Sequence, residues 1–165
     1  IWWYYLSFRI LVMINIIDYP DSASLNEELK SWIDFLPNSK EESTNLVVEK
    51  HTGYNTYPEP FIKLKDWVLD QLSLDKDTSK YQLWGAVYNY GDYAREHRHG
   101  TSQYSFVYYV SAPPGSSPLD FNGYVVQPHD GMCVIFTDEP HSVPENHCDG
   151  RIVVAGNIKS SSDGQ

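Results

Sequence analysis

The stretch "GMCVIFTDEPHSVPENHCDGRIVVAGNI", Gly131 to Ile158, holds two apolar, β-branched runs separated by a polar segment rich in Pro, Asp and Asn. Runs of this length bounded by such residues read as strands. His141 lies just past the first run, and Arg151 opens the second. Side chains alternate along a strand, so Arg151, Val153, Ala155 and Asn157 share one face, which is otherwise small and mostly apolar. A guanidinium on such a face is costly to bury unless an anion pairs with it. Two partners meet that need. One is a salt bridge at the strand end to Asp149 or Glu145. The other is an external carboxylate, whose two oxygens match the guanidinium fork.

Working outward, "YQLWGAVYNY", "SQYSFVYYV" and "FNGYVVQP" are three more runs of the same kind, giving five strand candidates beyond Tyr81. Two helical periodicities precede them. In "SASLNEELKSWIDFLP", Leu25, Leu29, Trp32, Ile33 and Leu36 fall on one face, Ser24 and Glu27 have capping-box spacing, and Pro37 stops the run. Phe61, Leu64, Val68 and Leu72 mark the second helix, with Pro60 near its first turn. "NSKEEST" reads as a solvated loop and "HTGYNTYPEP" as a turn-rich connection. Two helices followed by many short strands predict a mainly β fold with flanking helices, a double-sheet barrel or jelly roll. The expected domain covers 13–158, with helical support over 20–76 and the barrel core over 81–158. Residues 1–12 are expected to be an extension outside the native fold, because "MINIIDYPDS" reads as a natural start; an extra strand or a membrane-facing segment is the rival reading. The polar tail 159–165 is expected to be disordered.

Composition removes several classes of function. The net charge is −10 and the Lys and Arg residues are scattered, so the basic footprint that nucleic-acid binding needs is missing. Two cysteines, Cys133 and Cys148, form no CxxC pair, which excludes a zinc ribbon or a redox motif. Cys133 sits in an apolar run and reads as a small core residue. Two cysteines without a pairing motif favour a reducing compartment over a structural disulfide, and a cytoplasmic location is expected. Arg9 breaks the one long apolar stretch, so no membrane span is expected.

In "GDYAREHRHG", His97 and His99 stand one residue apart. On a strand, positions i and i+2 face the same way, so both imidazoles can point at one centre while Glu96 and Arg98 point away. With His141 they form a one-sided set of three neutral nitrogen donors, which suits Fe(II) and leaves coordination positions open. The plainer alternative is a pair of solvated loop histidines.

The order "YNYG…HRH…SFVYYV…VQPHDGMCVIFTDEPHSVPENHCDGRIVVAGN" resembles the Fe(II)- and 2-oxoglutarate-dependent oxygenases, and within them the prolyl-4-hydroxylase-like members and their bacterial and phage relatives. The resemblance spans about Trp84 to Asn157 and implies a double-stranded β-helix. It implies His97 as the first iron ligand, His99 at the second position, His141 as the distal ligand, and Arg151 on the far carboxylate of 2-oxoglutarate. Tyr88 and Gly91 match a Tyr-x-x-Gly run, which makes the Tyr88 hydroxyl a second anchor, and Pro128 with Gly131 match a Pro-x-x-Gly turn. The implied activity is hydroxylation of a primary substrate by O2, with release of succinate and CO2 and with ascorbate as an accessory reductant. The chain departs from the family pattern at His99, where a carboxylate is usual. Trp84, Tyr90, Tyr104, Phe106 and Tyr108 are candidates for the substrate side, with barrel core as the alternative.

Two other readings stay open on sequence. A cupin-like metalloprotein accounts for Gly91-x5-His97-x-His99, but the Glu that should follow is replaced by Gln103 at best, and Arg151 has no role in it. A non-catalytic jelly-roll binding domain draws its support from the substitution at His99.

Overall fold

A computed structural model describes residues 13–37, 39–100 and 102–161. Its elements, in chain order, are β1 (Ile14–Asp18), α1 (Ser22–Phe35), β2 (Ser39–Glu42), β3 (Leu46–His51), α2 (Glu59–Gln71), β4 (Lys80–Tyr88), β5 (Tyr93–His97), β6 (Tyr104–Ser111), β7 (Leu119–Phe121), β8 (Tyr124–Val126), β9 (Met132–Phe136), β10 (His141–Val143) and β11 (Arg151–Lys159). The strands follow the order β1-β9-β6-β11-β4-β3-β5-β10-β7-β8, with β2 on β3, and every strand pair is antiparallel. The sheet curls on itself as a jelly roll, with the two helices on its outer face.

Strand alternation divides the apolar residues into two cores. Leu83, Phe106, Tyr108, Val154 and Ile158 meet Leu25, Leu29 and Ile33 of α1 and Phe61, Leu64 and Val68 of α2. The opposite faces of the same strands put Ala86, Tyr88, Tyr109, Val134 and Val153 inside the roll. Gly156 lies where the helix-side layer is tightest: a Cβ there would come within 2.4 Å of Phe106. Cys133 is buried on the helix side, where desolvation raises its thiol pKa.

Several expectations need correction. Helix α1 begins at Ser22, two residues ahead of the Ser24–Glu27 pair, and its Asp21 N-cap makes no side-chain capping bond. The start is fixed from outside: the Tyr19 amide donates to the Gly131 carbonyl at 2.9 Å, which holds the chain entering α1 against that turn. Gly131 has φ +83°, and a Cβ on it would strike Ser22, so glycine is required at this point of the Pro-x-x-Gly turn. Trp32 lies at the margin of the buried stripe, half-exposed and edge-on to the exposed Phe35. "NSKEEST" is not wholly a loop, because Ser39–Glu42 pairs with β3 as a charged outer strand. Strand β11 runs through Lys159, and the Ser160 amide donates to the Gln103 side chain. Residues 1–12 and 162–165 lie outside the described residues. Among the described residues, no helix is long and apolar enough to cross a membrane.

Candidate active site

Inside the roll is a cavity of about 290 Å³. His97, His99, His141, Tyr88 and Arg151 all line it. Strands β5 and β10 pair with His97 directly opposite His141. His99 lies beyond the end of β5, and its amide donates to the Asp138 carboxylate at 3.0 Å. The convergence of His97 and His99 is therefore made by a strand end and a side-chain tether, not by the pleat alone. One nitrogen from each of the three rings lies within 4.8 Å of the others, close enough to hold a metal ion.

The rings are prepared differently. The Nδ1 of His97 is 2.7 Å from the Arg95 carbonyl, and the Nδ1 of His141 is 2.7 Å from the Glu139 carbonyl. A carbonyl only accepts, so each Nδ1 carries the proton and each Nε2 presents a lone pair. For His99 the partner is the Asn157 side-chain nitrogen, 3.4 Å from Nδ1, while Ser105 Oγ donates to Asn157 Oδ1 at 2.9 Å. This arrangement places the His99 proton on Nε2. Turning the amide over lets Asn157 Oδ1 accept from Nδ1–H and its nitrogen donate to the Ser105 hydroxyl, which frees Nε2 as in the other two rings.

Burial is the main cause that pushes both His99 and His141 down to about pKa 4. In His141 the hydrogen bond to the Glu139 carbonyl opposes this most; neighbouring histidines add to the lowering in both rings, and Asp138 opposes it in both. Both rings are neutral at pH 7, as metal ligation requires. The unfolded imidazole titrates near 6.5, so between roughly pH 6.5 and 4 the unfolded chain binds more protons than the folded one. The contribution is complete above that window and is lost as pH falls through it. Metal-free protein should therefore melt at progressively lower temperature from pH 7 to 4.5, with a shallower slope in a His99→Gln/His141→Gln variant. An identical slope in that variant would contradict the neutral burial.

Arg151 is 1% exposed and forms no salt bridge to Asp149 or Glu145. Its Nε donates to the Ser117 carbonyl at 3.1 Å, while Nη1 and Nη2 have no hydrogen-bond partner. The guanidinium lies 4.5 Å from the centre of the Tyr88 ring and 5.2 Å from that of Tyr109. The Tyr109 hydroxyl is likewise buried with no hydrogen bond of good geometry; burial raises its pKa and the adjacent Arg151 opposes that rise. What is unusual is that these three atoms cluster, two of them on a guanidinium that lines the cavity, which makes this end suited to an anionic ligand.

Asn146 supports this end from behind. Fully buried, it accepts from the Ser117 amide and donates to the carbonyls of Tyr88, Asn89 and Cys148. It thereby fixes the loop whose Ser117 carbonyl receives Arg151. Asn146→Ala should cost about 3 kcal/mol, because several buried groups lose their partner at once. A thermal or urea denaturation curve displaced by less than about 1 kcal/mol would contradict this.

The sequence reading missed Tyr109 and Asn146. Tyr109 stands directly opposite Val153 across β6 and β11, on Arg151's face, but "YSFVYYV" does not say which of its alternating sets points inward. For Tyr104 and Tyr108 the barrel-core alternative is the one the fold realises. Tyr108 donates to Asn26 of α1, and Tyr104 packs with the helix-side core. Phe106 belongs to that core as well, though its edge reaches the cavity. Tyr90 is 67% exposed on a turn, and of the five aromatic candidates Trp84 alone is a clear cavity wall.

No family model and no curated protein matches the sequence. Solved structures do match in three dimensions. A Pseudomonas putida prolyl-4-hydroxylase superposes with a TM-score of 0.70 at 18% identity, over 91% of this chain and 94% of that one. The fold is that of the 2-oxoglutarate–Fe(II) oxygenases. A viral collagen prolyl hydroxylase from Paramecium bursaria Chlorella virus-1, solved as its 2-oxoglutarate complex, shares the oxygenase fold with a TM-score of 0.69 at 16% identity, over 89% of this chain and 96% of that one. HygX from Streptomyces hygroscopicus, solved with nickel and 2-oxoglutarate, also matches at 0.69 and 10% identity, over 91% and 84%.

Proposed function

We propose that this chain is an Fe(II)- and 2-oxoglutarate-dependent dioxygenase that hydroxylates a primary substrate with release of succinate and CO2. What supports this most is Arg151, a buried guanidinium with both Nη atoms unpaired, in the same cavity as three converging imidazoles. A dicarboxylate satisfies that fork, and the lone pairs of His97 and His141 suit a divalent metal. A metal-binding barrel without a co-substrate leaves the two Nη atoms unexplained. Similar folds solved with 2-oxoglutarate, one of them with nickel, agree with this pairing of ligands.

In this reading His97 and His141 hold iron through Nε2, and His99 joins them once its proton sits on Nδ1. Arg151 binds the far carboxylate of 2-oxoglutarate through Nη1 and Nη2, with Nε kept on Ser117. Tyr109 donates its hydroxyl to the same carboxylate, and the Tyr88 ring flanks the guanidinium, with its own hydroxyl a second donor. When bound, iron and 2-oxoglutarate together supply the oxidising power by which O2 hydroxylates a C–H bond. The walls exclude water and orient the reactants. Anaerobic addition of 2-oxoglutarate to Fe(II)-loaded protein should develop the metal-to-ligand charge-transfer absorption of a chelated keto acid. No such band at saturating 2-oxoglutarate would refute the reading.

His99 replaces a charged ligand by a neutral one. Three neutral imidazoles leave Fe(II) and dianionic 2-oxoglutarate with no net charge, one unit more positive than a site with a carboxylate. His99→Ala should weaken Fe(II) binding by at least tenfold, and His99→Asp should retain iron and turnover. Iron affinity unchanged in His99→Ala would show that two histidines suffice.

A further inference from the structure

The cavity carries opposite charges at its two ends. Arg151 closes the floor, and Glu41, half-buried on β2, stands at the mouth; these are the only Asp, Glu, Lys or Arg side chains among the described lining residues. The neighbouring charges of β2 are spent on each other, Lys40 pairing with Glu42 at 2.8 Å. The backbone of Glu41 pairs with β3, while its carboxylate has no ion pair with any described residue. A group of rings lines the same mouth. Tyr54, 50% exposed, lies edge-on to Trp84 at 5.0 Å, and His51 stacks on Trp84 at 6.3 Å. The His51 Nδ1 accepts from the Gly53 amide at 2.9 Å, which ties its ring to the turn that carries Tyr54. Burial lowers the His51 pKa, so this ring does not neutralise Glu41 at pH 7.

We infer that the mouth is the subsite for an organic cation, an ammonium or guanidinium group of the primary substrate, held by the Glu41 carboxylate against the faces of Tyr54 and Trp84. The inference rests on the oxygenase reading, which fills the floor with a dicarboxylate and leaves the mouth to the substrate. A half-buried carboxylate lining the same cavity as aromatic rings attracts a cation twice, by charge and by the ring quadrupoles. A neutral substrate of equal size would desolvate Glu41 and return nothing for it, so the site discriminates by charge. The chain's net charge of −10 acts in the same sense, concentrating cations and repelling a second anion.

The test uses the full chain loaded with Fe(II) and 2-oxoglutarate without oxygen, titrated calorimetrically with five probes. These are the tripeptides Gly-Lys-Gly, Gly-Arg-Gly, Gly-norleucine-Gly and Gly-Glu-Gly, and the free diamine putrescine. The lysine or arginine tripeptide, or putrescine, should bind roughly tenfold tighter than the norleucine tripeptide, and the glutamate tripeptide weakest of all. Preference for the tripeptides assigns the cation to a basic side chain, and preference for putrescine to a small amine. Glu41→Gln should erase the preference, and Glu41→Lys should turn it towards the glutamate tripeptide. Norleucine binding as tightly as lysine, a preference undiminished in Glu41→Gln, or no binding by any cationic probe would overturn the inference. The affinity of wild-type protein for 2-oxoglutarate, taken in the same experiment, reports separately on the oxygenase reading.

Discussion

Arg151→Ala should lower the affinity of iron-loaded protein for 2-oxoglutarate by roughly 30- to 5,000-fold, equivalent to about 2–5 kcal/mol for loss of a buried charge pair. The size follows from burial. At 1% exposure the guanidinium has no water to fall back on, and two of its nitrogens have no protein partner. Arg151→Lys should fall between, since an ammonium keeps the charge and loses the planar fork. Tyr109→Phe should lose less, about 1.5–3 kcal/mol for one hydrogen bond to a charged group, or roughly 10- to 150-fold. Tyr88→Phe provides the comparison, because that ring already stacks on the guanidinium whether or not its hydroxyl is present. Iron binding in the absence of 2-oxoglutarate should stay at the wild-type level in Arg151→Ala. Wild-type 2-oxoglutarate affinity in that variant would remove the anchor, and with it the case against a simple metal-binding barrel.

His97→Ala and His141→Ala should each lose tight Fe(II) binding, by at least a hundredfold in affinity, without loss of the fold. These two rings face each other across a strand pair and already hold their Nδ1 protons on backbone carbonyls, so each removes a preformed ligand and not a mobile one. His97 is exposed, and its truncation opens no core cavity. His141 is buried against Phe136 and Phe121, so His141→Ala should also lower the melting temperature of metal-free protein. Metal analysis giving unchanged iron occupancy in either variant would rule out the site.

The sequence by itself determined the strongly apolar strands and the order of the chemical groups. Apolar β-branched runs punctuated by Gly, Pro and Asp specify β4, β6, β9 and β11 locally, and Pro37 and Pro60 bound the helices through backbone geometry that needs no partner. The positions of His97, His141 and Arg151 relative to those strands were legible for the same reason. Short and charged strands were not. β2, β5 and β10 have three to five residues and little apolar alternation, and they exist because a neighbouring strand supplies their hydrogen bonds. Which face of a strand points inward was decided only by tertiary structure. "YSFVYYV" is apolar on both sides because helices cover one face and the cavity the other, so period-2 reasoning cannot separate Tyr108 from Tyr109. Arg151's lack of an ion-pair partner is likewise a tertiary fact. Asp149 and Glu145 are close enough in sequence to pair with it, yet the loop is ordered around Asn146, and Asp149 instead accepts from the Tyr90 amide. Arg151 contributes only its Nε, to the Ser117 carbonyl, and both Nη atoms are left facing the cavity.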